Sequence, residues 1–420
     1  MKECIELDDL DVFLKNFNEN SGNNIAKNAV NSVGIHEASV NAELKRKLTY
    51  NYSLEVEPGK VTNQLRSGRC WMFAATNVMR FEVMKHLNLE NMELSQAYPF
   101  FYDKLEKSNY FLESILRTLK EPVNGRLVSF LLTDPLGDGG QWDMFVDLVK
   151  KYGVCPKSAM PETFSSSNSA LMDKYLTLKL REFACSLRAM HEKGMNPAYL
   201  RGKKDEMLDI IYRMLVISLG VPPKTFTFEA KTKDKKFIRI ADITPQDFYA
   251  KYVGINLDDY ISVINAPTSD KPYDKSFTVK FLGNVVGGKP VKYLNLPINE
   301  LKKACISQMK DGDAVWFGSD VGQFSTRDTG YLSLDSYKVE DLFSTHFGMN
   351  KAERLDFGQS KMTHAMTLVG VNLDEQGKPL AWKVENSWGE TTGDKGMYAM
   401  DGAWFDEYVY QVVVNKKYLT

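Results

Sequence analysis

Cysteine is scarce in this chain of 420 residues, and its five cysteines are scattered along the sequence: Cys4, Cys70, Cys155, Cys185 and Cys305. Their number is odd and no C-x-x-C pair is present, so the pattern indicates neither a zinc site nor a disulfide framework. Free thiols of this kind are typical of a reducing compartment. We therefore predict a cytoplasmic protein that needs no metal or other cofactor.

Long apolar runs and an excess of one charge are also lacking. No apolar stretch reaches the roughly 18 residues needed to span a bilayer, and the first residues contain no apolar segment typical of a signal peptide. Lysine and arginine together number 53, against 54 for aspartate and glutamate. This balance argues against both a membrane and nucleic acid as partners. The length and a hydrophobic content of 43% predict two or three globular cores.

The spacing of apolar residues predicts a helical first half and a strand-rich last third. Helices are expected at residues 70–89, 95–107 and 141–152, and loops at 134–140 and 165–169. Strands are expected at residues 225–230, 314–319, 364–371, 381–385 and 409–414. We therefore predict an α+β fold with four parts, namely an N-terminal helical arm (1–50), a helical lobe (51–164), a mainly helical insertion (165–285) and a β-rich lobe (286–420).

Cys70 is the first residue of a strongly apolar segment that begins Cys-Trp-Met-Phe-Ala-Ala. The N-terminus of a helix favours the thiolate, which is the reactive form of cysteine. Cys70 is therefore a candidate nucleophile. Taken alone, it could equally be a small buried hydrophobic residue.

His364 and Asn386 are the candidate partners of this thiol. His364 lies in an alternating, strand-like stretch and would act as general base and acid, whereas the other four histidines lack a comparable motif. Asn386 would fix the tautomer of the histidine ring, and Trp388 would shield their hydrogen bond from water. Each has a plainer alternative, since a strand histidine is often structural and the segment 386–389 could be a simple turn.

Gln64 and two glycines complete the candidate site. The side-chain amide of Gln64, with the backbone N–H of Cys70, could bind an oxyanion. Gly139 and Gly140 could let the backbone of an extended substrate approach closely, because neither carries a side chain. An upstream glutamine is usually exposed, and paired glycines usually mark a turn. Together, however, these residues form the set required for acyl transfer by a thiol.

The segment from Asn63 to Ala75, with sequence NQLRSGRCWMFAA, is similar to the nucleophile segment of papain-like cysteine peptidases. More narrowly, it resembles the bleomycin hydrolase and aminopeptidase C family, as do the segments DGGQWD (138–143), MTHAM (362–366) and WKVENSWGE (382–390). The resemblance implies a two-lobed papain-like core with a helical insertion, peptide substrates, and a homohexameric barrel. By motif it assigns Cys70 as nucleophile, His364 as base, Asn386 as orienting group and Gln64 as oxyanion donor.

Members of that family have a C-terminal arm whose terminal carboxylate pairs with the α-amino group of the substrate. This sequence stops earlier, at Thr420, which is explained either by a shortened sequence or by a natural relative with an open cleft. The leading expectation is an aminopeptidase that releases N-terminal residues through a thioester acyl-enzyme. Two alternatives stay open: an endopeptidase of the same family, and a barrel-like binding or scaffold protein.

Overall fold

The structure is a computed structural model that describes residues 3–419. Its N-terminal arm contains the helices α1 (Leu7–Glu19), α2 (Ser21–Val33), α3 (Ile35–Ser39) and α4 (Leu44–Lys47). Neither α1 nor α2 buries a residue, although both have apolar side chains on one face. The arm therefore presents an apolar surface to its surroundings.

The helical lobe begins with the short strand β1 (Leu54–Glu55) and continues through α5 (Cys70–His86), α6 (Ala97–Arg117), α7 (Arg126–Thr133) and α8 (Trp142–Tyr152). Helix α5 is buried on nearly all sides, as its apolar sequence predicts. Helix α6 is longer than the predicted 95–107, and Pro99 lies in its first turn, where a missing N–H is tolerated.

The insertion contains α9 (Phe164–Ser167), the long helices α10 (Ala170–Glu192) and α11 (Pro197–Leu219), the hairpin β2 (Phe226–Lys231) and β3 (Phe237–Ile243), and α12 (Pro245–Phe248). The prediction of a loop at 165–169 was wrong over most of that segment. Thr163 caps a single helical turn there, because its side chain accepts the Ser166 N–H while the Ser166 hydroxyl accepts the Thr163 N–H.

Ten further strands lie in residues 3–419, and the first two of them fall within the range predicted for the insertion. The strands are β4 (Tyr260–Ile264), β5 (Lys275–Phe277), β6 (Tyr293–Asn295), β7 (Val315–Ser319), β8 (Ser325–Thr326), β9 (Tyr331–Leu332), β10 (His364–Leu373), β11 (Pro379–Glu385), β12 (Met397–Asp401) and β13 (Val409–Asn415). They form one sheet in the order β5-β6-β4-β13-β7-β10-β11-β12-β9-β8, and β1 joins it through β10. The helices of the β-rich lobe are α13 (Ile298–Lys310), α14 (Val339–Phe343), α15 (Lys351–Asp356) and α16 (Gly402–Tyr408).

The antiparallel pairing of β10 with β11 determines where the candidate residues meet. Thr367 pairs with Glu385, so the first residue of β10, His364, lies close to Asn386, which directly follows β11. Helix α5 packs against β10, and the indole of Trp316 in β7 donates a hydrogen bond to the carbonyl of Trp71 over 3.1 Å. The N-terminus of α5 therefore faces the beginning of β10.

One apolar core extends through the helical lobe, the insertion and the sheet. Because side chains from all three regions share this core, the boundaries proposed between the parts stay a prediction. In residues 3–419, the structure has no helix long and apolar enough to cross a membrane.

Candidate active site

The thiol of Cys70 and the ring of His364 lie close enough for each to shift the pKa of the other, through charge and through hydrogen bonding. Burial raises the pKa of the Cys70 thiol, but the charge of His364, the hydrogen bond from its ring and the main-chain N–H groups of Ala365 and Trp71 outweigh burial, so the net pKa is lowered. Since Cys70 is also the first residue of α5, the helix dipole adds to this effect. The site is therefore able to hold a thiolate.

His364 shows the matching shift. Burial lowers the pKa of its ring, but the charge of Cys70 and the hydrogen bonds with Cys70 and Asn386 outweigh it, so the net pKa is raised. A lowered thiol pKa and a raised imidazole pKa are what an ion pair between the two groups produces. The opposite directions of the two shifts therefore favour a thiolate–imidazolium pair at this site.

Asn386 is buried and fixes the orientation of this ring, because its Oδ1 lies 2.9 Å from Nε2 of His364. An amide oxygen only accepts hydrogen bonds, so Nε2 carries a proton and Nδ1 is left to face the thiol. The ring of Trp388 lies 4.9 Å from the His364 ring between centroids and is tilted by 34°. This indole covers the histidine and limits access of water.

Gln64 is only 6% exposed, so the alternative of a solvent-exposed glutamine is wrong. Its Nε2 donates to the carbonyl of Ser67 over 2.7 Å, and its Oε1 accepts a hydrogen bond from the Ser387 hydroxyl over 2.7 Å. These two contacts orient the amide beside the nucleophile loop, and its second N–H remains available. Ser387, which directly follows Asn386, therefore helps to position Gln64.

The two glycines have different surroundings. A Cβ atom on Gly140 would lie 2.6 Å from the ring of Trp71, whereas a Cβ atom on Gly139 would have no neighbour within 4 Å. Gly140 is therefore needed for packing against the residue after the nucleophile. Gly139 faces open space, as a site for an approaching substrate backbone requires.

Asp138 joins this loop to the nucleophile segment, and sequence reasoning did not identify it. Its carboxylate accepts the Gly68 N–H over 2.7 Å, and its carbonyl accepts the Trp71 indole N–H over 2.7 Å. Asp138 thus holds the chain on both sides of Cys70. In the sequence, Asp138 stands out only as the first residue of the segment DGGQWD (138–143).

A buried lysine supports Asp138. Nζ of Lys104 lies 2.7 Å from Asp138 and 2.7 Å from Asp173, and the lysine side chain is 0% exposed. Although burial opposes it, the Lys104 ammonium holds the pKa of Asp138 below its usual range. Burial and the neighbouring Asp138 carboxylate outweigh the same lysine at Asp173 and raise its pKa to about 7. We call Asp138, Lys104 and Asp173 the ionic clamp.

The fold and this cysteine–histidine–asparagine arrangement define a class, the papain-like cysteine peptidases. Comparison with known proteins agrees. The profile of the Peptidase C1-like family matches residues 4–420, and the chain belongs to that family. The predictions of an α+β papain-like fold and of a cysteine peptidase are therefore confirmed.

Named relatives are similar over the full chain. The chain is 48% identical to Aminopeptidase C of Listeria innocua serovar 6a over 420 residues, covering 100% of this chain and 94% of the relative. It is 46% identical to Aminopeptidase C of Lactobacillus delbrueckii subsp. lactis over 419 residues, covering 100% and 93%. The crystal structure of PepW from Lactobacillus rhamnosis HN001 superposes with a TM-score of 0.98 at 50% identity, covering 100% of this chain and 94% of that one.

Proposed function

We propose that this protein is a cysteine aminopeptidase that releases N-terminal residues from peptides. The pairing of Cys70 with His364, which shifts the pKa of both groups, together with the hydrogen bond between the ring and Asn386, is the observation that carries the proposal. Full-length similarity to two proteins named Aminopeptidase C supports the cleavage mode. The resemblance to bleomycin hydrolase belongs to the same proposal.

The proposed reaction has two halves. The thiolate of Cys70 attacks the carbonyl carbon of the scissile bond, and the oxyanion accepts hydrogen bonds from Gln64 and from the backbone N–H of Cys70. His364 gives its proton to the leaving amine, which leaves a thioester on Cys70. Water then attacks the thioester while His364 takes its proton, and the acid is released.

The residues on the two sides of the cleft have different roles in this proposal. Gly139 lets the acyl side of the substrate approach, with Gly140 packed on Trp71 behind it. Trp388 covers the catalytic histidine on the other side. No metal ion takes part in any step.

Replacing Cys70 with alanine tests the proposal directly. Cys70→Ala should reduce turnover of an aminoacyl reporter substrate to background, while circular dichroism and the melting temperature stay close to those of the wild type. Cys185→Ala, which removes an exposed thiol of the insertion, is the matched control and should keep full activity. Substantial turnover by Cys70→Ala would refute the assignment.

The cleavage mode needs its own experiment. One peptide is supplied with a free N-terminus and with an acetylated N-terminus, and the products are identified by mass spectrometry. An aminopeptidase should shorten only the free peptide, one residue at a time. Internal cleavage of the acetylated peptide would instead establish the endopeptidase alternative.

We further propose that the protein works in the cytoplasm as a homohexamer. The five free cysteines agree with a reducing compartment, and the family resemblance implies the hexamer. The exposed apolar residues of the arm support self-association, since Leu7 is 81% and Phe13 is 55% exposed.

The mass of the wild type measured by light scattering should be about six times that of one chain. Phe13→Asp should lower it, whereas Asn18→Asp, a change on the same helix that removes no apolar side chain, should not. A wild-type protein with the mass of a single chain would contradict the assembly.

A further inference from the structure

Arg327 is an exposed cation close to the catalytic pair, and the reaction described above does not use it. It directly follows β8, and its guanidinium carbon lies 5.0 Å from the centre of the Trp388 ring. The same ring contacts His364 at 4.9 Å between centroids. Trp388 therefore connects the general acid to an arginine at the surface.

The backbone of this arginine is anchored. Its carbonyl accepts hydrogen bonds from the Gly393 N–H over 3.1 Å and from the Tyr398 hydroxyl over 3.3 Å. Tyr398 also packs edge-on against Trp388, with 6.0 Å between centroids. The stack of Arg327 on Trp388 is thus supported from two sides rather than being a loose surface contact.

The chemistry of the reaction places Arg327 on the leaving side of the cleft. His364 must donate its proton to the leaving amine, so the segment that departs lies next to His364 and the indole that covers it. The acyl part lies towards Gly139, on the loop that Asp138 joins to Gly68. A group on Trp388 therefore meets the part of the peptide after the scissile bond.

The positive charge of Arg327 indicates that its ligand is an anion. In residues 3–419, Arg327 has no carboxylate within ion-pair distance, even though Asp328 is its neighbour in sequence. An exposed guanidinium held over an aromatic ring by a cation–π contact has N–H groups to spare, and these groups suit a carboxylate. Because one indole contacts both His364 and Arg327, the arginine lies near the first residues that follow the scissile bond.

We propose that Arg327 forms an anion subsite that binds the free α-carboxylate of a short leaving segment of one to three residues. This inference rests on the proposed peptidase function. It makes Arg327 a specificity-determining residue that favours short peptides with a free C-terminus over their C-terminal amides.

The experiment uses tri- and tetrapeptides in pairs that differ only in having a C-terminal carboxylate or amide. In the full-length wild type, kcat/KM should be about tenfold higher for the acid than for the amide, and the ratio should fall as salt is raised. Arg327→Gln should lower kcat/KM for the acid to the value of the amide and leave the amide unchanged. Arg327→Lys should keep part of the preference, and Arg239→Gln in the β2–β3 hairpin should keep all of it.

The outcomes separate the two proposals. Equal ratios of acid to amide in the wild type and in Arg327→Gln would overturn the anion subsite while leaving the peptidase intact. Failure of the wild type to cleave either peptide would instead overturn the proposed function. If Arg327→Gln does not fold, the salt dependence of the wild type and the Arg327→Lys variant decide. An acid-to-amide ratio of kcat/KM that changes neither with salt nor in Arg327→Lys would exclude the subsite.

Discussion

On the Gly139 side of the cleft, Lys104 is fully buried and lies 2.7 Å from each of two carboxylates. On the Trp388 side, Arg327 is exposed, rests on an indole and has no ion-pair partner in residues 3–419. Both cations lie near the proposed catalytic pair, Cys70 and His364. Their surroundings nevertheless give them different tasks.

A buried ion that is paired on all sides contributes little net stability compared with apolar packing, but removing one partner is costly. The ionic clamp is therefore suited to fixing one geometry, which here is the position of Asp138 against Gly68 and Trp71, on either side of Cys70. An exposed arginine on an aromatic face retains free donors. It is suited to a ligand that changes from one turnover to the next.

The largest effect is expected at His364, where the Gly139 side and the Trp388 side of the cleft meet. His364→Ala removes both the proton donor and the cation that stabilises the thiolate, so kcat/KM should fall by at least about 10³-fold. The rate of alkylation of Cys70 by iodoacetamide at pH 6 should fall as well, because the pKa of the thiol rises when the imidazolium is lost. His346→Ala, at a side chain that is 80% exposed, should change neither quantity, and wild-type alkylation in His364→Ala would contradict the ion pair.

The clamp comes next. Asp138→Asn leaves the buried Lys104 with one carboxylate instead of two and weakens the contact with Gly68, so it should reduce the free energy of unfolding by about 3 kcal/mol. Urea unfolding measures this change, and kcat should fall because Cys70 is less well placed. Asp205→Asn, at a side chain that is 76% exposed, is the control. An Asp138→Asn variant as stable and as active as the wild type would mean that the clamp has no positioning role.

The clamp also predicts a pH dependence of stability. The pKa of Asp173 is raised to about 7, mainly by burial, so between pH 4 and pH 7 the folded state holds a proton that the unfolded state has lost. Stability should therefore fall as pH rises through this window. Relative to Asp173→Asn, which cannot titrate there, the wild type should lose about 4 kcal/mol across this window, since a pKa difference of one is worth about 1.36 kcal/mol. Parallel curves for the two proteins in urea unfolding from pH 4 to pH 8 would exclude a raised pKa.

The glycine pair offers a smaller and sharper comparison. Gly140→Ala would place a methyl group 2.6 Å from the Trp71 ring, and such overpacking should cost about 1–2 kcal/mol and lower kcat by displacing the loop. Gly139→Ala should leave the free energy of unfolding unchanged, because its Cβ would meet no atom within 4 Å. Thermal unfolding of both variants measures the difference in stability between them. Equal stabilities would mean that the loop shifts freely to accommodate the extra methyl group.

Local pattern was sufficient for much of this fold. The apolar segment after Cys70 predicted α5, and the strand-like run after His364 predicted β10. Both elements are buried on nearly all sides, so the local signal was the length and composition of an apolar run. The motifs around Cys70, His364 and Asn386 predicted which side chains would be candidates. Their contacts depend on the register of β10 with β11, which neither strand encodes alone.

The clamp was beyond such reasoning. The helix predicted at 95–107 includes Lys104 but ends well before the observed end at Arg117, and no local pattern marks this lysine as buried. In the fold this charge is buried because carboxylates from two distant segments surround it. Arg327 was missed for a related reason, since only the tertiary structure brings it onto Trp388. Long-range pairing of charges leaves no local periodicity to detect.

The smallest effect tests whether Trp388 couples Arg327 to His364. Trp388→Phe keeps an aromatic face but weakens the stack with Arg327, and the loss should be about 1 kcal/mol, or roughly fivefold in kcat/KM for peptide acids. Trp388→Phe combined with Arg327→Gln should cost less than the sum of the single changes, because the second change removes an interaction already weakened by the first. The same cycle with Arg239→Gln supplies the additive reference. Strict additivity in the Arg327 cycle would mean that the arginine acts independently of the indole. Lys104 on the Gly139 side and Arg327 on the Trp388 side would then differ only in how deeply they are buried.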